Sequence, residues 1–544
     1  MCSRRSCLDP QPVPFWPAAR GAAAHGLHRP GGDTAALAAA DFGSKAAQLW
    51  RMHALGLNVP PAFVLSTALC AGERSRKGVD RLLADGVAYL ERVTGRGFGD
   101  RRRPLLVSVR SGAEKSMPGM LETVLDVGMN PDTVRGLMRL TGNPRLAFDC
   151  RRRFIEGHCE VVAGLPRGPF EEVLRTLLAA ETAASDRELD PDALDRLADL
   201  YLALAADRFD CTVPTDPMTQ LKDAVDAVFR SWDAPKAREY RRLNHLEGLS
   251  GTAVTVQAMV FGNAGVRSGS GVAFSRDPAT GAPGIYADML FEAQGEDVVS
   301  GRRQPVGLAR LDAALPQVAR ELAEGVAALE AAYRDVQDVE FTIEEGRLFF
   351  LQTRAAKRTP RAALKIAVDL VAEGVRTPAE GRALLEGVDL DAVGTSRFTG
   401  TAEAVARGVP ASSGTVSGRI AFDADAARRL AGAGDPVILV RPDVATDDIA
   451  GLALAAGVLT TVGGRTAHAA VVARQLGRAC VVGCGALAID LATRRARLGA
   501  ADVAEGDWLS LDGEAGAVFL GRREITVERP QEQLAIIAGW PAGA

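Results

Sequence analysis

The pattern of apolar and polar positions divides the chain into alternating strand-rich and helix-rich stretches. Over residues 31–110 the two patterns alternate. Asp41–Trp50 reads as a glycine turn at Gly43 entering an amphipathic helix. Val59-Pro60-Pro61 stops that element, Ala62–Leu65 is a short strand, and Leu105–Arg110 is another. Residues 131–245 carry helical periodicity, as in Leu194–Phe209 and Met218–Trp232, and predict a helical insertion between two strand-rich lobes. Strand character returns over 251–300, with Val254–Val260 and Ser270–Phe274. Residues 356–405 are mostly helical, with breaks at Gly374, Gly387 and Gly394, and read as a connector. A compact domain over 406–521 follows, opening on Gly414–Ile420. The expected organisation is a disordered tail over 1–30, a large domain over 31–355, the connector, the 406–521 domain and a tail over 522–544. The fold class is α/β and α+β multidomain.

One stretch specifies more than its element type. Asp338-Val339-Glu340-Phe341-Thr342-Ile343 alternates polar and apolar, as a half-buried strand does. Glu344-Glu345-Gly346 then fits a three-residue hairpin loop with glycine in the left-handed position. That register pairs Asp338 with Gln352 and Glu340 with Phe350. Asp338, Glu340 and Gln352 then share one face, while Val339, Phe341 and Ile343 fill the other. A two-residue loop would turn Gln352 to the apolar face. The hairpin predicts an acid-bearing polar cluster at the floor of a cleft, although a solvated sheet face satisfies the same pattern.

Composition narrows the function classes. The 544 residues suffice for two to four domains, and 47% hydrophobic with 24% charged content is ordinary for a globular chain. With 64 Lys+Arg against 68 Asp+Glu, the net charge of −4 gives no sign of a nucleic-acid or anionic-membrane partner. No apolar run is long enough to span a bilayer. The eight cysteines are scattered, and Cys480 and Cys484 have no second pair to complete a zinc site, so free thiols in a cytoplasmic protein are expected. Gly269-Ser270-Gly271 has no helix after it and is not a dinucleotide fingerprint, and no Walker A sequence occurs.

The candidate chemistry lies at Gly463-Gly464-Arg465-Thr466-Ala467-His468. It follows a short apolar strand, Val458–Val462, and runs into a helical pattern through Arg474. A histidine in the first turn of a helix sits beside free backbone N–H groups, where the helix dipole favours an anion. A neutral imidazole there can attack a phosphoryl group and leave the phosphohistidine where negative charge is stabilised. A histidine that merely opens an ordinary helix has the same spacing.

This run resembles the phosphohistidine signature Gly-Gly-x-Thr-Ser-His-Ala-Ala of the phosphoenolpyruvate-utilising enzymes, with matching flanks at 438–442 and 477–484. Ala467 replaces the family serine, which removes a hydroxyl beside the phosphoryl site. Most of residues 36–520 is similar to the pyruvate, phosphate dikinase family. That resemblance implies an ATP-grasp-like nucleotide-binding domain over 31–355 and a swivelling β/α phosphohistidine domain over 406–521. It makes His468 the catalytic nucleophile, on a loop with Gly463, Gly464 and Thr466, and Thr466 lies where the family carries a regulatory phosphorylation site. It places Lys45 on the nucleotide phosphates and Arg110, in Val107–Gly112, as a phosphate-contacting arginine. Ser116-Met117-Pro118-Gly119-Met120 matches the segment covering the phosphates, and Gln294–Gly301 is a further match. Asp338, Glu340, Gln352 and Arg354 match the block that holds nucleotide and Mg2+, with Glu340 and Gln352 as the metal ligands. These residue types suit the task, because lysine and arginine offset phosphate charge and carboxylates bind Mg2+ together with phosphate oxygens.

The resemblance implies that His468 takes the β-phosphoryl of ATP with release of AMP, and that phosphate removes the terminal phosphoryl as pyrophosphate. The Met-Pro-Gly-Met block favours this phosphate-dependent chemistry over that of the water-using relatives. The family continues into a barrel for pyruvate and phosphoenolpyruvate, and a (β/α)8 barrel needs roughly 250 residues. The sequence after Gly521 is too short for one, so a separate barrel chain is the expected partner and pyruvate the final acceptor. A phosphotransferase for another small molecule stays open, although the connector is too short for the acceptor domain of rifamycin-modifying relatives. A non-catalytic nucleotide-binding regulator is the third reading. A homo-oligomer is compatible with all three.

Overall fold

The computed structural model describes residues 24–26, 38–70, 78–115, 117, 120–299, 305–391, 393–400, 402–444, 449–465 and 467–541. Apart from 24–26, the expected N-terminal tail lies outside the described residues, as does Thr466. The chain forms two compact units, residues 1–260 and 261–544.

The first unit is built on an antiparallel sheet of strands β1 (Ala24–Gly26), β2 (Ala62–Leu65), β3 (Val107–Ala113), β4 (Thr123–Val127) and β5 (Thr252–Ala258), in the order β1-β2-β5-β3-β4. Helices α1 (Ala39–Ala54) and α2 (Val79–Thr94) precede β3. Between β4 and β5 the chain is helical: α3 (Pro131–Thr141), α4 (Pro144–Gly157), α5 (Gly168–Ala180), α6 (Pro191–Phe209), α7 (Pro217–Ser231) and α8 (Pro235–Leu243). The starts of α3, α4, α6 and α7 share one device. Asn130, Asn143, Asp190 and Asp216 each accept backbone N–H bonds, and proline occupies the next position. The cap satisfies donors the helix leaves orphaned, and proline there has no N–H to waste.

The second unit begins with a second antiparallel sheet, β6 (Gly269–Arg276), β7 (Pro283–Phe291), β8 (Val306–Gly307), β9 (Gln337–Glu344) and β10 (Arg347–Ala355), in the order β8-β7-β6-β9-β10. Helix α9 (Pro316–Tyr333) lies across β6, β9 and β10. Helix α10 (Pro360–Ala372) packs Ala362, Ile366 and Leu370 against Val272, Phe274 and Leu290. After α11 (Pro378–Ala383), strand β11 (Thr395–Phe398) leads into the last domain.

That domain holds β12 (Ala406–Arg407), β13 (Val409–Ser412), β14 (Thr415–Ala421), α12 (Ala424–Gly432), β15 (Val437–Arg441), α13 (Ile449–Leu454), β16 (Gly457–Thr460), α14 (His468–Gln475) and β17 (Ala479–Val482). A three-stranded meander, β18 (Leu487–Asp490), β19 (Arg495–Leu498) and β20 (Ala501–Ala504), follows, then β21 (Trp508–Asp512) and β22 (Ala517–Leu520). The eight-stranded sheet runs β12-β22-β21-β14-β15-β16-β17-β13, and β14 to β17 are parallel. Parallel strands need crossovers, and α12, α13 and α14 supply them. Both faces of this sheet are covered, which is why 437–440 reads as an unbroken apolar run. Ile438, Val440, Leu459 and Val481 point to the core shared with the meander, and Leu439, Val458, Cys480 and Val482 to the core shared with α13 and α14.

The residues after 521 do not trail away. Strand β23 (Ile525–Glu528) pairs antiparallel with β11, and helix α15 (Gln531–Ala538) packs Ile537 with Leu364, Ala367 and Leu385. Arg382 donates to the carbonyls of Ile537 and Trp540, both at 2.8 Å, closing the end of α15. The six described cysteines are free thiols. No helix among the described residues is long and apolar enough to cross a membrane.

Candidate active site

In the first unit, Gly43 breaks α1 with φ 77° and ψ 155°, so a helical run starts anew at Ser44. Only glycine fits, because a Cβ at 43 would collide with the carbonyl oxygen of Gly112. Ser44 Oγ donates to Ala113 O at 3.0 Å and pins the turn to β3. Lys45, next along, has its Cβ 3.5 Å from where a side chain of residue 112 would begin. Arg110 precedes Gly112 by two, so alternation along β3 puts Arg110 on the face that Lys45 covers. Ser116, Pro118 and Gly119 of the adjoining segment lie outside the described residues.

In the second unit the hairpin differs from its expected register. Glu344 pairs with Arg347, so the loop has two residues, Glu345 at φ 49° and Gly346 at φ 78°. Both take the left-handed conformation that tight hairpins favour. A two-residue loop should turn Gln352 away from Glu340, but a bulge intervenes. Phe341 pairs with Phe350, Glu340 with Gln352 and Asp338 with Arg354, which leaves Leu351 unpaired. The extra residue shifts the register by one. Asp338, Glu340, Gln352 and Arg354 therefore share a face, with Phe350 opposite Phe341 rather than Glu340.

On that face Arg354 Nε donates to Asp338 Oδ2 at 2.8 Å, and its Nη2 lies 3.7 Å from Glu340 Oε1. Asp338 is 6% exposed. Burial pushes its carboxyl above the usual carboxylate range, Arg354 pulls it back, and Glu340 adds to the rise. Asp338 Oδ1 is buried with no donor among the described residues. An acceptor in that state calls for a ligand donor or a cation. Glu340 and Gln352, directly opposite one another, offer a carboxylate and an amide oxygen, the donor types that suit Mg2+. No cluster of three or more His, Cys, Asp or Glu fit for a metal occurs among the described residues. A magnesium ion held jointly with substrate phosphates needs only one or two protein carboxylates.

Helix α14 starts at His468 with Ala467 as its N-cap, φ −60° and ψ 153°, and no side chain caps it. The serine that Ala467 replaces would sit at the position where hydroxyls bond the N2 or N3 amide. Gly463 has φ 115°, and Ala467 N donates to Gly464 O at 3.1 Å, so the loop before the helix is a tight turn.

This loop packs on the second sheet. Gly464 lies against Pro305 and, with a Cβ added, would reach to 3.0 Å from Asp288 Oδ2. Arg465 Nη1 donates to Asp277 Oδ2 at 2.8 Å, its Nε donates to Pro410 O at 2.6 Å, and its guanidinium lies 4.3 Å from the centroid of Tyr286. Tyr286 Oη donates to Asp288 Oδ1 at 2.6 Å. Arg474, in the last turn of α14, is 1% exposed, donates to Ala411 O at 2.9 Å and lies over Phe274. Burial lowers its pKa, and the neighbouring acidic groups, Asp338 and Asp288 among them, partly offset that fall. A buried guanidinium stays charged, so α14 places a cation within the field of the acid face. Arg465, Arg474, Asp277, Tyr286 and Asp288 did not emerge as site residues from the sequence. Only the position of Arg465 within the glycine-histidine run gave a signal.

The second unit thus joins an antiparallel sheet to a parallel-cored domain, with the loop before a histidine-initiated helix packed on the sheet that carries the acid-bearing hairpin. Residues 80–310 and 309–374 match the family described as pyruvate phosphate dikinase, AMP/ATP-binding domain. Residues 433–516 match that described as PEP-utilising enzyme, mobile domain. The chain belongs to the pyruvate, phosphate dikinase family. It is 43% identical over 490 residues to pyruvate, phosphate dikinase of Clostridium symbiosum, covering 88% of this chain and 56% of that protein. It is 41% identical over 508 residues to pyruvate, phosphate dikinase 2 of Zea mays, covering 92% and 57%. The chloroplastic pyruvate, phosphate dikinase 1 of Arabidopsis thaliana is 40% identical over 508 residues, at 92% and 53% coverage. The chain thus spans about half the length of the curated relatives it matches.

Proposed function

We propose that this chain carries the donor half of a dikinase reaction, forming phospho-His468 from ATP and phosphate. The observation that carries the reading is the packing of Gly464, Arg465 and Arg474 on the sheet whose hairpin gathers Asp338, Glu340, Gln352 and Arg354. In this reading residues 31–355 act as an ATP-grasp-like nucleotide domain, with Lys45 and Arg110 offsetting phosphate charge. Arg354 fixes Asp338 and Glu340, and Glu340 with Gln352 would hold Mg2+. When bound, that ion neutralises charge on the phosphate oxygens.

His468 Nε2 or Nδ1 attacks the β-phosphorus of ATP, the bond to the α-phosphate oxygen breaks, and AMP leaves. Phosphate then attacks the terminal phosphorus, pyrophosphate leaves, and one phosphoryl group stays on His468. The backbone N–H groups at the start of α14 stabilise its charge. The 406–521 domain then swings to an acceptor, for which pyruvate, the substrate in the relatives' names, is our proposal, at a site outside the described residues, on this chain or a partner.

The test is incubation of the purified chain with Mg2+, phosphate and ATP labelled at the β- or the γ-phosphate. An acid-labile, base-stable label from β-labelled ATP is expected, absent in His468→Ala with nucleotide binding kept. With phosphate present, γ-label should appear in pyrophosphate and not on protein. AMP production retained in His468→Ala would overturn the assignment. Glu340→Ala is expected to slow labelling by at least tenfold, and an unchanged rate would remove the hairpin face from the reaction.

A further inference from the structure

A cavity of about 250 Å³ opens between α10, the β11–β23 ribbon and the start of α15. Arg361 and Lys365 of α10, Arg397 of β11 and Arg529 just beyond β23 line it, with Glu528 and Gln533. The lining therefore sets four cations against one carboxylate. The neighbouring acids leave room for another anion. Arg361 pairs with Glu514 at 2.9 Å and Lys365 with Asp369 at 2.6 Å, one turn away on the same helix. Arg529 reaches Asp391 only at 3.5 Å, and that aspartate is fully exposed. Arg397 has no ion-pair partner among the described residues. Single pairs that solvent still reaches are weak. A ligand that touches several of the cations at once can displace them.

We propose that this cleft binds a small phosphomonoester. Arginine forks and a lysine point charge match a phosphate dianion with several oxygens to share. Helix α15 starts at the same cleft with Pro530 as an N-cap that offers no side-chain cap, so its dipole adds to the field. The volume is below the roughly 300–1,000 Å³ of pockets for drug-sized ligands, which limits the organic part to a few carbons. None of the lining residues belongs to the hairpin face or the histidine loop. The walls belong to α10, which follows the acid-bearing hairpin, and to the ribbon through which the chain enters and leaves the eight-stranded domain. An occupant ties these segments together.

Calorimetric titration of the full chain with glycerol 3-phosphate is expected to show one saturable site. Arg397→Ala/Arg529→Ala should weaken it at least tenfold while leaving the unliganded melting temperature in place. Gln533→Glu, which adds a carboxylate and removes no bond seen in the structure, should weaken it too. Arg110→Ala should leave it unchanged, which separates the cleft from the phosphate-handling residues of the proposed reaction. The absence of saturable heat, binding indifferent to the cleft variants, binding lost with Arg110, or equal binding of succinate would each overturn the proposal.

Discussion

At the residue scale the most informative position is Ala467. The structure makes it the N-cap of α14, a place where serine ordinarily bonds an amide of the first turn. Alanine leaves those amides to whatever anion occupies the helix start. Ala467→Ser should raise stability by about 1 kcal/mol, since that is the usual worth of such a cap. In the proposed reaction the added hydroxyl competes with the phosphoryl group for the same N–H donors. We expect a higher melting temperature together with an altered lifetime of the phosphohistidine, read from the decay of the protein-bound label. Stability unchanged within 0.3 kcal/mol, on the scale of a missing cap, would show that the first turn is satisfied in some other way.

At the element scale the hairpin shows how far sequence pattern reaches. A three-residue loop and a two-residue loop followed by one bulged residue have the same parity. Both put Gln352 on the face of Glu340, so alternation alone cannot separate them. The polar face was therefore legible, and the cross-strand partners were not. Deleting Leu351 tests which geometry operates. With the bulge, the deletion should give a regular ladder that keeps Gln352 opposite Glu340 and Arg354 opposite Asp338, so β-label transfer should persist in a chain that circular dichroism reports as folded. Loss of transfer in that folded variant would favour the unbulged three-residue loop, in which the same deletion turns Gln352 and Arg354 to the apolar face.

A second element, the turn that follows α4, gives a pH dependence. His158 is buried beside Phe154, with ring centroids 5.7 Å apart, and burial lowers its pKa to about 4. The unfolded chain, with a pKa near 6.5, binds more protons between these values. Stability is thus fully present above about pH 6.5 and falls as the pH drops toward 4. The full loss is on the order of 3 kcal/mol. Asp149, held below the usual carboxylate range by Arg153 and Arg152 despite burial, acts only at lower pH. Hydrogen exchange in α4, corrected for intrinsic rate, should show protection declining across this window, and His158→Gln should flatten the decline. The helices themselves were legible from their apolar periodicity, as at Leu194–Phe209 and Met218–Trp232. The burial of one histidine depends on tertiary packing that no local pattern carries.

At the scale of the whole molecule, the second unit joins residues that lie far apart in sequence. Arg465 and Asp277 are separated by 188 positions, and neither stands out alone. Together with Tyr286 and Pro410 they hold the histidine loop against the second sheet. The glycine turn at Gly43 was readable from period and punctuation. This contact was not, because it arises only once two separately folded sheets meet. It has a direct consequence under the proposed function. Phosphoryl transfer from ATP requires the loop at the nucleotide face, whereas onward transfer requires it to leave. The contact must then be strong enough to be populated and weak enough to break. A charged hydrogen bond of this kind contributes about 1.5–3 kcal/mol. Its loss should cost at least a tenfold drop in transfer rate. Arg465→Asp should therefore slow β-label incorporation about tenfold or more on that scale, with ATP affinity changed less than twofold, as measured by rapid quench and equilibrium binding. Asp277→Arg in the same chain should recover part of the rate by restoring the ion pair, though neither the Pro410 bond nor the Tyr286 stacking returns. If Arg465→Asp instead weakened ATP binding in parallel with transfer, the arginine would belong to the nucleotide site and not to the docking of the histidine domain.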